Sequence, residues 1–421
     1  MAKNLRASIK QSIKASSKAS LTGGNVFGSS PLDLRFALQK TLDPRITFTR
    51  ASTGTYVGSN GLLQSAVTNE ARFDHNPTTG ESLGLLVEEA RTNLVLQSET
   101  FGTTWGPFRA SIVTNSTASP DGAATADTIV EDTTVTSSHG TSQTINLTAA
   151  VYTFTIFLKA AGRNWVNINP SDSADHRTWF DFSNGAVGTN ATGNTSSITA
   201  YPNGWYRCTI TRTMDRVSCA FQISLTTGDN VAVYSGDGTS GAYIWGAQIE
   251  AGAFPTSYIP TTSATATRAA DVASITGTNF SSWYNQSAGT LVGEYRTPAS
   301  GTRGVADFND NTANERIGML TNSTDPKMLA VDGGITQVDL DGGTIVANTL
   351  AKTAIAYATN DFSIVNAGGA AVTDTSGTLP TVNRLMIGTD QTGNYQNGQT
   401  KRLTYWPVRL PDATLQALTA P

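Results

Sequence analysis

Short runs of β-branched and aromatic residues, broken by Gly, Asn and Asp, recur along this chain and constrain its fold more than any other feature. Such runs favour a half-buried pleated sheet, and the residues between them favour tight turns. From 94 to 260 the runs are 126–130, 144–147, 151–160, 165–168, 178–182, 205–213, 218–225, 231–234 and 242–250. The pattern predicts an all-β protein of tandem β-sandwich (jelly-roll) domains behind a short N-terminal helical arm.

Changes in this pattern divide the 421 residues into five predicted segments. A Pro-containing tract rich in Thr, Ser and Ala separates two stretches of regular strand-like runs, which is typical of a linker. The segments are an N-terminal attachment arm (1–45), a β connector (46–93), a jelly roll (94–260), a linker (261–275) and a second sandwich (276–421).

The N-terminal residues have the spacing of a short amphipathic helix. Its apolar stripe is Leu5, Ile9 and Ile13, and its basic stripe includes Lys10 and Lys14. The apolar stripe is too narrow for a globular core, and such a helix is only marginally stable alone. We therefore expect it to pack on copies of itself or on another protein. A frayed, solvated terminus is the alternative.

The charge balance argues against two classes of partner. With a net charge of −4 and a pI near 5.4, the chain has no overall positive field to attract nucleic acid. No apolar run is long enough for a membrane-spanning helix, and no secretory signal precedes the strand-like region. We expect neither nucleic-acid binding nor membrane insertion.

The chain contains two cysteines, Cys208 and Cys219. Without a secretory signal they are expected to be reduced core thiols. If 205–212 and 217–223 form a hairpin, the two side chains become cross-strand neighbours, and a disulfide is geometrically allowed. Both alternatives stay open from the sequence.

No group of residues has the pattern of a catalytic centre. The three histidines, His75, His139 and His176, lack metal-ligand spacing, and no Gly-x-Ser-x-Gly motif accompanies them. Glu88 and Glu89 are adjacent, so on a strand they point to opposite faces and do not line one groove as glycosidase carboxylates do. The sequence predicts no catalytic residues, no enzymatic activity and no cofactor.

A structural calcium ion is an open alternative, although no metal site is predicted. Asp121, Asp127 and Asp237 adjoin predicted strand ends, where loop oxygens can hold Ca²⁺. Aspartates in loops are also common turn formers, which explains the same positions without a metal.

Sugar binding requires aromatic faces bordered by polar groups, because a pyranose ring offers flat C–H patches edged by hydroxyls. In the alternating run after residue 204, Cys208 and Ile210 lie on one face of the strand, and Trp205 and Arg207 lie on the other. The last domain offers polar and aromatic residues on a Gly-rich loop. The candidate glycan-binding residues are Trp179, Trp205, Arg207, Tyr395 and Asn397.

Three segments resemble a connector found in bacteriophage head-spike and tail-fibre proteins. They are 46–57 (Ile-Thr-Phe-Thr-Arg-Ala-Ser-Thr-Gly-Thr-Tyr-Val), 69–77 (Asn-Glu-Ala-Arg-Phe-Asp-His-Asn-Pro) and 81–94 (Glu-Ser-Leu-Gly-Leu-Leu-Val-Glu-Glu-Ala-Arg-Thr-Asn-Leu). The following domain, with its entry at 93–105 and last strand at 242–250, is similar to family 4/9-type carbohydrate-binding jelly rolls. The C-terminal domain is similar to concanavalin A-like (laminin G-like) lectin sandwiches through residues 361–369, 385–388 and 403–407.

The resemblance implies a non-enzymatic structural protein of a tailed bacteriophage virion, a fibre, head-spike or tail-fibre subunit that displays glycan-binding modules for host-surface attachment. It implies three partners: host cell-surface glycan, other virion proteins held by the N-terminal arm, and further copies in a homotrimer. The expected location is the virion, assembled in the bacterial cytoplasm. A purely structural decoration or connector protein and a capsule depolymerase are the alternatives.

Overall fold

The computed structural model describes residues 30–172 and 174–421. The side chains predicted for virion attachment, Leu5, Ile9, Ile13, Lys10 and Lys14, lie outside the described residues. Within them, strands dominate, helices are short, and every strand pair is antiparallel. The predicted all-β class of tandem sandwiches is confirmed.

The N-terminal part contributes seven strands and one helical turn within the described residues. They are β1 (Leu32–Leu34), α1 (Phe36–Gln39), β2 (Thr47–Thr49), β3 (Gly54–Val57), β4 (Leu63–Ala66), β5 (Arg72–His75), β6 (Ser82–Val87) and β7 (Arg91–Asn93). β3 and β4 form a separate two-stranded hairpin.

The first sandwich consists of two six-stranded sheets. Its strands are β8 (Gly106–Phe108), β9 (Ala110–Thr117), β10 (Ala126–Glu131), β11 (His139–Asn146), β12 (Ala150–Ala161), β13 (Trp165–Ser171), β14 (Thr178–Asp181), β15 (Ala186–Asn190), β16 (Thr195–Ala200), β17 (Tyr206–Met214), β18 (Ser218–Thr226) and β19 (Gly241–Ala251). One sheet has the order β16-β17-β12-β19-β10-β9, and the other β15-β14-β13-β18-β11-β8. Alternate residues of both sheets, such as Phe154, Ile210 and Phe221, meet in one buried core.

The rest of the chain forms the second sandwich with its larger core, two more short helices, and one strand, β20, that pairs with β7 in a separate two-stranded sheet. These elements are β20 (Ala266–Arg268), β21 (Val272–Thr276), α2 (Thr278–Ser281), β22 (Ala288–Tyr295), β23 (Thr302–Asn309), β24 (Arg316–Asn322), β25 (Asp325–Asp332), β26 (Ile335–Asp341), β27 (Ala351–Ala358), β28 (Asp361–Asn366), β29 (Val372–Asp374), β30 (Arg384–Ile387), β31 (Gly398–Trp406) and α3 (Asp412–Thr419). Its sheets have the orders β29-β28-β27-β22-β31-β6-β5, with β1 beside β31, and β2-β21-β30-β23-β24-β25-β26.

Strand pairing crosses the predicted segment boundaries. β1 comes from the predicted arm, and β2 and β6 come from the predicted connector, yet all three pair with strands of the second sandwich. β5 joins the same sheet by pairing with β6. Leu85 and Val87 of β6 are fully buried in its core. The N-terminal segment therefore completes the C-terminal sandwich, and the first sandwich is inserted between the two parts. The segment limits 46–93 and 276–421 remain predictions from sequence.

Five buried charged side chains join the N-terminal strands to the chain between the sandwiches. Asp271 pairs with Arg50 at 3.1 Å and with Arg72 at 2.5 Å. Glu88 pairs with Arg72 at 2.8 Å and with Arg268 at 3.5 Å. Burial alone raises the pKa of Glu88, but attraction to Arg268 and Arg72 outweighs it and lowers the pKa to about 2. We call this group the ion cluster.

The cysteines lie in different sheets of the first sandwich. Cys208 pairs with Ile156 in one sheet, and Cys219 pairs with Ile145 in the other. Because β17 and β18 belong to different sheets, the hairpin that would make the cysteines cross-strand neighbours does not form. Both thiols are free and buried. The chain between β17 and β18 crosses from one sheet to the other and does not turn back within one sheet.

Candidate functional site

The outer face of one sheet in the first sandwich carries a row of polar side chains. In β13, Val166 and Ile168 enter the core, so Asn167 and Asn169 point to the opposite face. Asn167 lies between Trp179 of β14 and Ser224 of β18 in the strand register.

A second row on the same face lies one pleat away. Asn169 is opposite Gln222 of β18, and Gln222 is in turn opposite Ser142 of β11. The Asn169 Nδ2 donates to Gln222 Oε1 at 3.4 Å. We call Trp179, Asn167, Ser224, Asn169 and Gln222 the amide face, because three of these five side chains are carboxamides.

The amide face is buried although it is an outer surface of the sandwich. The relative exposures of Asn167, Asn169 and Trp179 are 1%, 3% and 5%. Residues 227–235, which we call the strap, cross the sheet above it. The strap carbonyl of Val231 accepts hydrogen bonds from Trp179 Nε1 at 3.3 Å and from Thr226 Oγ1 at 2.6 Å.

Both ends of the strap are held by polar contacts. At one end, Asp229 accepts hydrogen bonds from the backbone and hydroxyl of Thr189. At the other, Tyr234 donates its hydroxyl to Glu131 at 2.6 Å, and Arg163 also pairs with Glu131. Burial raises the pKa of Glu131, but hydrogen bonds from Arg163 and Tyr234 prevail and lower it. An ionised Glu131 thus anchors the strap to the body of the sandwich.

The opposite border of the amide face is formed by the loop between β13 and β14. The backbone N–H of His176 donates to Asn169 Oδ1 at 2.9 Å. The Nε2 atom of His176 lies 2.7 Å from Asp172 Oδ1. The amide face is therefore a polar floor between two walls, the strap and this loop.

Asn167 is the most unusual member of the amide face. Neither its Nδ2 nor its Oδ1 has a hydrogen-bond partner among the described residues, although both atoms are buried. A buried polar group without a partner costs about 1–3 kcal/mol. Buried polar groups are ordinarily hydrogen-bonded, so Asn167 has bonding capacity left for a ligand or a water molecule. The carboxamide offers two donors and one acceptor for either.

Two of the predicted glycan-binding residues are tryptophans with little exposure. Trp179 belongs to the amide face, but its indole N–H is used by the strap. Trp205 is 1% exposed, and its indole N–H donates to Ala118 O at 3.0 Å. Trp205 packs with Phe157 and Trp245 in a second cluster on the outer side of its sheet. The expected outward orientation of Trp205 occurs, yet the β3–β4 hairpin covers it.

The other predicted residues meet at the boundary between the sandwiches. Arg207 and Asn397 line one cavity there. Asn397 donates to Glu89 Oε2 at 2.9 Å and accepts a hydrogen bond from the Glu89 backbone N–H. Tyr395 is half-buried against the core of the second sandwich. The structure thus brings Arg207 and Asn397 together and separates both from Trp179.

No group of three or more metal-ligating side chains occurs within residues 30–172 and 174–421. Among the aspartates considered for calcium, Asp127 accepts backbone N–H groups of Phe101 and Asn115 with its two oxygens. Asp237 caps the turn at Thr239 and Ser240 in the same manner. The part of the chain covered by the structure also contains no helix with the length and apolarity needed to cross a bilayer.

Comparison with known proteins gives structural likenesses only. No family model matches the sequence, and no curated protein matches it significantly. The IT-sialidase CBM40 of Ruminococcus gnavus, solved with alpha2,3 sialyllactose, is similar at 15% identity and a TM-score of 0.30, over 34% of this chain and 88% of that one. The NanB sialidase of Streptococcus pneumoniae has 11% identity and a TM-score of 0.31, over 35% and 27%. A Trypanosoma rangeli sialidase has 11% identity and a TM-score of 0.29, over 75% and 62%.

Two expectations from the sequence are corrected by these findings. The assignment as a non-enzymatic phage fibre or spike subunit is contradicted, because the similar structures are sialidases and a sialidase's binding module. The expectation that the chain is not an enzyme is contradicted by the same sialidases. A β-sandwich does not by itself exclude catalysis, because one scaffold of this kind can carry either a binding site or a catalytic site. The coarser resemblance holds: the chain contains carbohydrate-binding-module-like β-sandwich domains.

Sequence reasoning missed the amide face. Its signal is nevertheless present in β13, where Val166 and Ile168 alternate with Asn167 and Asn169. Asparagine is depleted in strands, so two on one face of a strand form a recognisable pattern.

Proposed function

We propose that the protein binds glycan and that the amide face of the first sandwich recognises an uncharged stretch of it. The observation that carries the proposal is the row of carboxamides on one outer face, one of which, Asn167, is buried without a partner among the described residues. Each carboxamide offers both donors and an acceptor, which matches hydroxyl groups that also donate and accept.

The position of the strap defines how a glycan reaches this row. Gln222 is half-buried, whereas Asn167 is 1% exposed and is paired in the sheet with Trp179, whose indole binds the strap. The strap is held there by hydrogen bonds to its own carbonyls, those of Val231 and Ala232. A small shift of this backbone exposes Asn167, and a sugar hydroxyl then replaces the missing partner. Gln222 and Asn169 provide the first contacts.

The charge of the site limits the class of ligand. The five side chains of the amide face are uncharged, and the neighbouring Asp172 is paired with His176. A recognition surface without a net charge gains little from an ionic ligand. We therefore propose neutral sugar units as the bound portion and expect the affinity to change little with ionic strength.

The test is a glycan-array screen of the full chain followed by calorimetry with a retained glycan. Asn169→Ala and Gln222→Ala each remove a contact, so we expect binding to weaken roughly tenfold or more. Thr144→Ala, an exposed position on β11, is the matched control and should bind as the parent does. Equal affinity of all three variants, with the fold intact, contradicts the proposal.

Three further statements from the sequence resemblance are proposals as well. They are location in a virion, docking of residues 1–20 on other virion proteins, and assembly as a homotrimer. Light scattering tests the last, because a trimer has three times the 44.2 kDa mass of one chain. A species of one chain mass at all concentrations contradicts it. Mass spectrometry of purified particles tests the first two.

A further inference from the structure

A separate cavity of about 170 Å³ lies where the β3–β4 hairpin, the first sandwich and the second sandwich meet. Its walls include Tyr56 from the hairpin, Tyr201 and Arg207 from the first sandwich, and Gln399 from β31. Asp74 of β5 lies at its base. All three parts of the fold contribute to this junction cavity, which is a common place for a ligand site.

Arg207 is fixed in the wall of the junction cavity. Its Nη2 donates to Thr256 O at 2.8 Å and to Thr155 Oγ1 at 3.3 Å, and the guanidinium lies 5.7 Å from the Phe157 ring centre. Its Nε has no partner among the described residues. Burial raises the pKa of the adjacent Tyr201, and nearby Arg207 lowers it by less. Arg207 and Tyr201 therefore form a preorganised pair of donors.

Asp74 of β5 and Gln399 of β31 form a hydrogen-bonded acid–amide pair in the lining of the cavity. Asp74 accepts from Gln399 Nε2 at 2.8 Å and from the Val57 backbone N–H at 2.8 Å. Burial raises the pKa of Asp74, and the two hydrogen bonds offset only part of the increase. The Gln399 Oε1 has no hydrogen-bond partner among the described residues, so it is available as an acceptor.

The chemistry of the lining indicates the ligand. Donors from Arg207 and Tyr201 face an acceptor and an acid from Gln399 and Asp74, and aromatic rings of Tyr56 and Tyr201 flank the space. The lining also includes Glu88, whose charge is balanced by Arg72 and Arg268 in the ion cluster. Because Arg207 and Asp74 have opposite charges, the cavity has no dominant sign. An anion would approach Asp74, and a cation would approach Arg207. A compact, uncharged molecule with several hydroxyls satisfies all of these groups.

We propose that the junction cavity binds a single uncharged sugar unit. This site is distinct from the amide face, because Arg207 belongs to β17 in one sheet and Asn167 to β13 in the other. Its volume suits one ring and excludes a chain of several rings. Because three parts of the fold surround the ligand, binding also links the two sandwiches.

The test uses the full chain and saturation-transfer NMR with methyl glucoside, methyl galactoside and N-acetylglucosamine as probes. We expect at least one probe to bind, and Tyr201→Phe and Gln399→Ala to weaken it roughly tenfold. Ile335→Ala, a 67% exposed position on the outer strand β26, is the control and should leave this affinity unchanged. Thermal melts confirm that each variant is folded.

Any of three solution results would overturn the proposal: no probe binds, the probe binds equally to the cavity variants, or glucuronate competes more strongly than the neutral sugars. Crystals soaked with the bound probe should show it between Tyr201 and Gln399. Only water at that position also overturns it. Because the amide-face variants are measured in parallel, loss of binding there does not count for or against the junction cavity.

Discussion

Arg72 and Asp271, which are 199 residues apart in the chain, form an ion pair of 2.5 Å in which neither side chain is exposed to solvent. The first sandwich is inserted between them in sequence. Their contact joins the two chain segments that flank the inserted first sandwich. The ion cluster is therefore the structural joint of the molecule.

Removing one member of the ion cluster should destabilise the protein strongly. Asp271→Asn leaves Arg50 and Arg72 buried with reduced compensation, and breaking a buried pair in this way costs about 3–5 kcal/mol. Denaturant unfolding measures the free energy. Lys327→Met, which breaks an exposed pair with Asp339, is the control and should cost at most about 1 kcal/mol. Similar losses in both variants would show that the cluster is not the joint.

Gly84 should tolerate no side chain, because its backbone has φ +108° and a Cβ would lie 2.1 Å from Thr400 O. We expect Gly84→Ala to combine backbone strain with displacement of β31, at roughly 3 kcal/mol or more. Gly343→Ala has a similar φ of +92° but no atom within 4 Å, so it tests strain alone. Equal melting temperatures of the two variants would contradict this explanation.

Asp307 should make stability depend on pH. Burial raises its pKa from 3.8 to about 7, and attraction to Arg316 offsets only part of the increase. Between these two pKa values the folded state holds a proton that the unfolded state releases. The contribution of Asp307 to the free energy of unfolding is therefore fully present below about pH 4 and is lost as the pH rises to about 7. Asp307→Asn should flatten this decline in urea unfolding. A difference between parent and variant that is the same at every pH would refute the assignment.

Cys208 and Cys219 should react slowly with thiol reagents in the folded protein. Burial raises the pKa of Cys219 to about 12 and raises the pKa of Cys208 well above its ordinary value, so little reactive thiolate is present. A colorimetric thiol assay should detect neither cysteine before denaturation and both afterwards. Rapid reaction of the folded chain would mean that the sandwich opens, and a missing thiol after denaturation would indicate a disulfide.

The sequence predicted the strand content well because strand propensity and turn residues are local signals. It did not predict that β5 and β6 complete the second sandwich. Residues 82–87 have no local feature that predicts pairing with β31, which lies more than 300 positions away, and residues 72–75 follow them into the sheet by pairing with β6. Pairing of this kind follows from the whole core, which buries Leu85 and Val87.

For the candidate sites too, local patterns predicted which face a side chain lies on but not which distant segment covers it. Alternation along β17 correctly placed Trp205 on the face opposite Cys208, but it could not show that Val57 and Leu63 cover that face. Alternation along β13 would have identified Asn167 and Asn169. No local pattern contains the path of the strap over Trp179, or the burial of Asn167 without a hydrogen-bond partner among the described residues.

The amide face is tested most directly by hydrogen–deuterium exchange of the full chain with and without an array-selected neutral glycan. Binding should slow exchange in β13, β18 and the strap, and leave the outer strands β24–β26 of the second sandwich unchanged. In the Asn169→Ala variant, the same glycan concentration should no longer slow exchange in these segments. Protection confined to the second sandwich, or absent from β13 and the strap while the glycan is bound, would contradict the account.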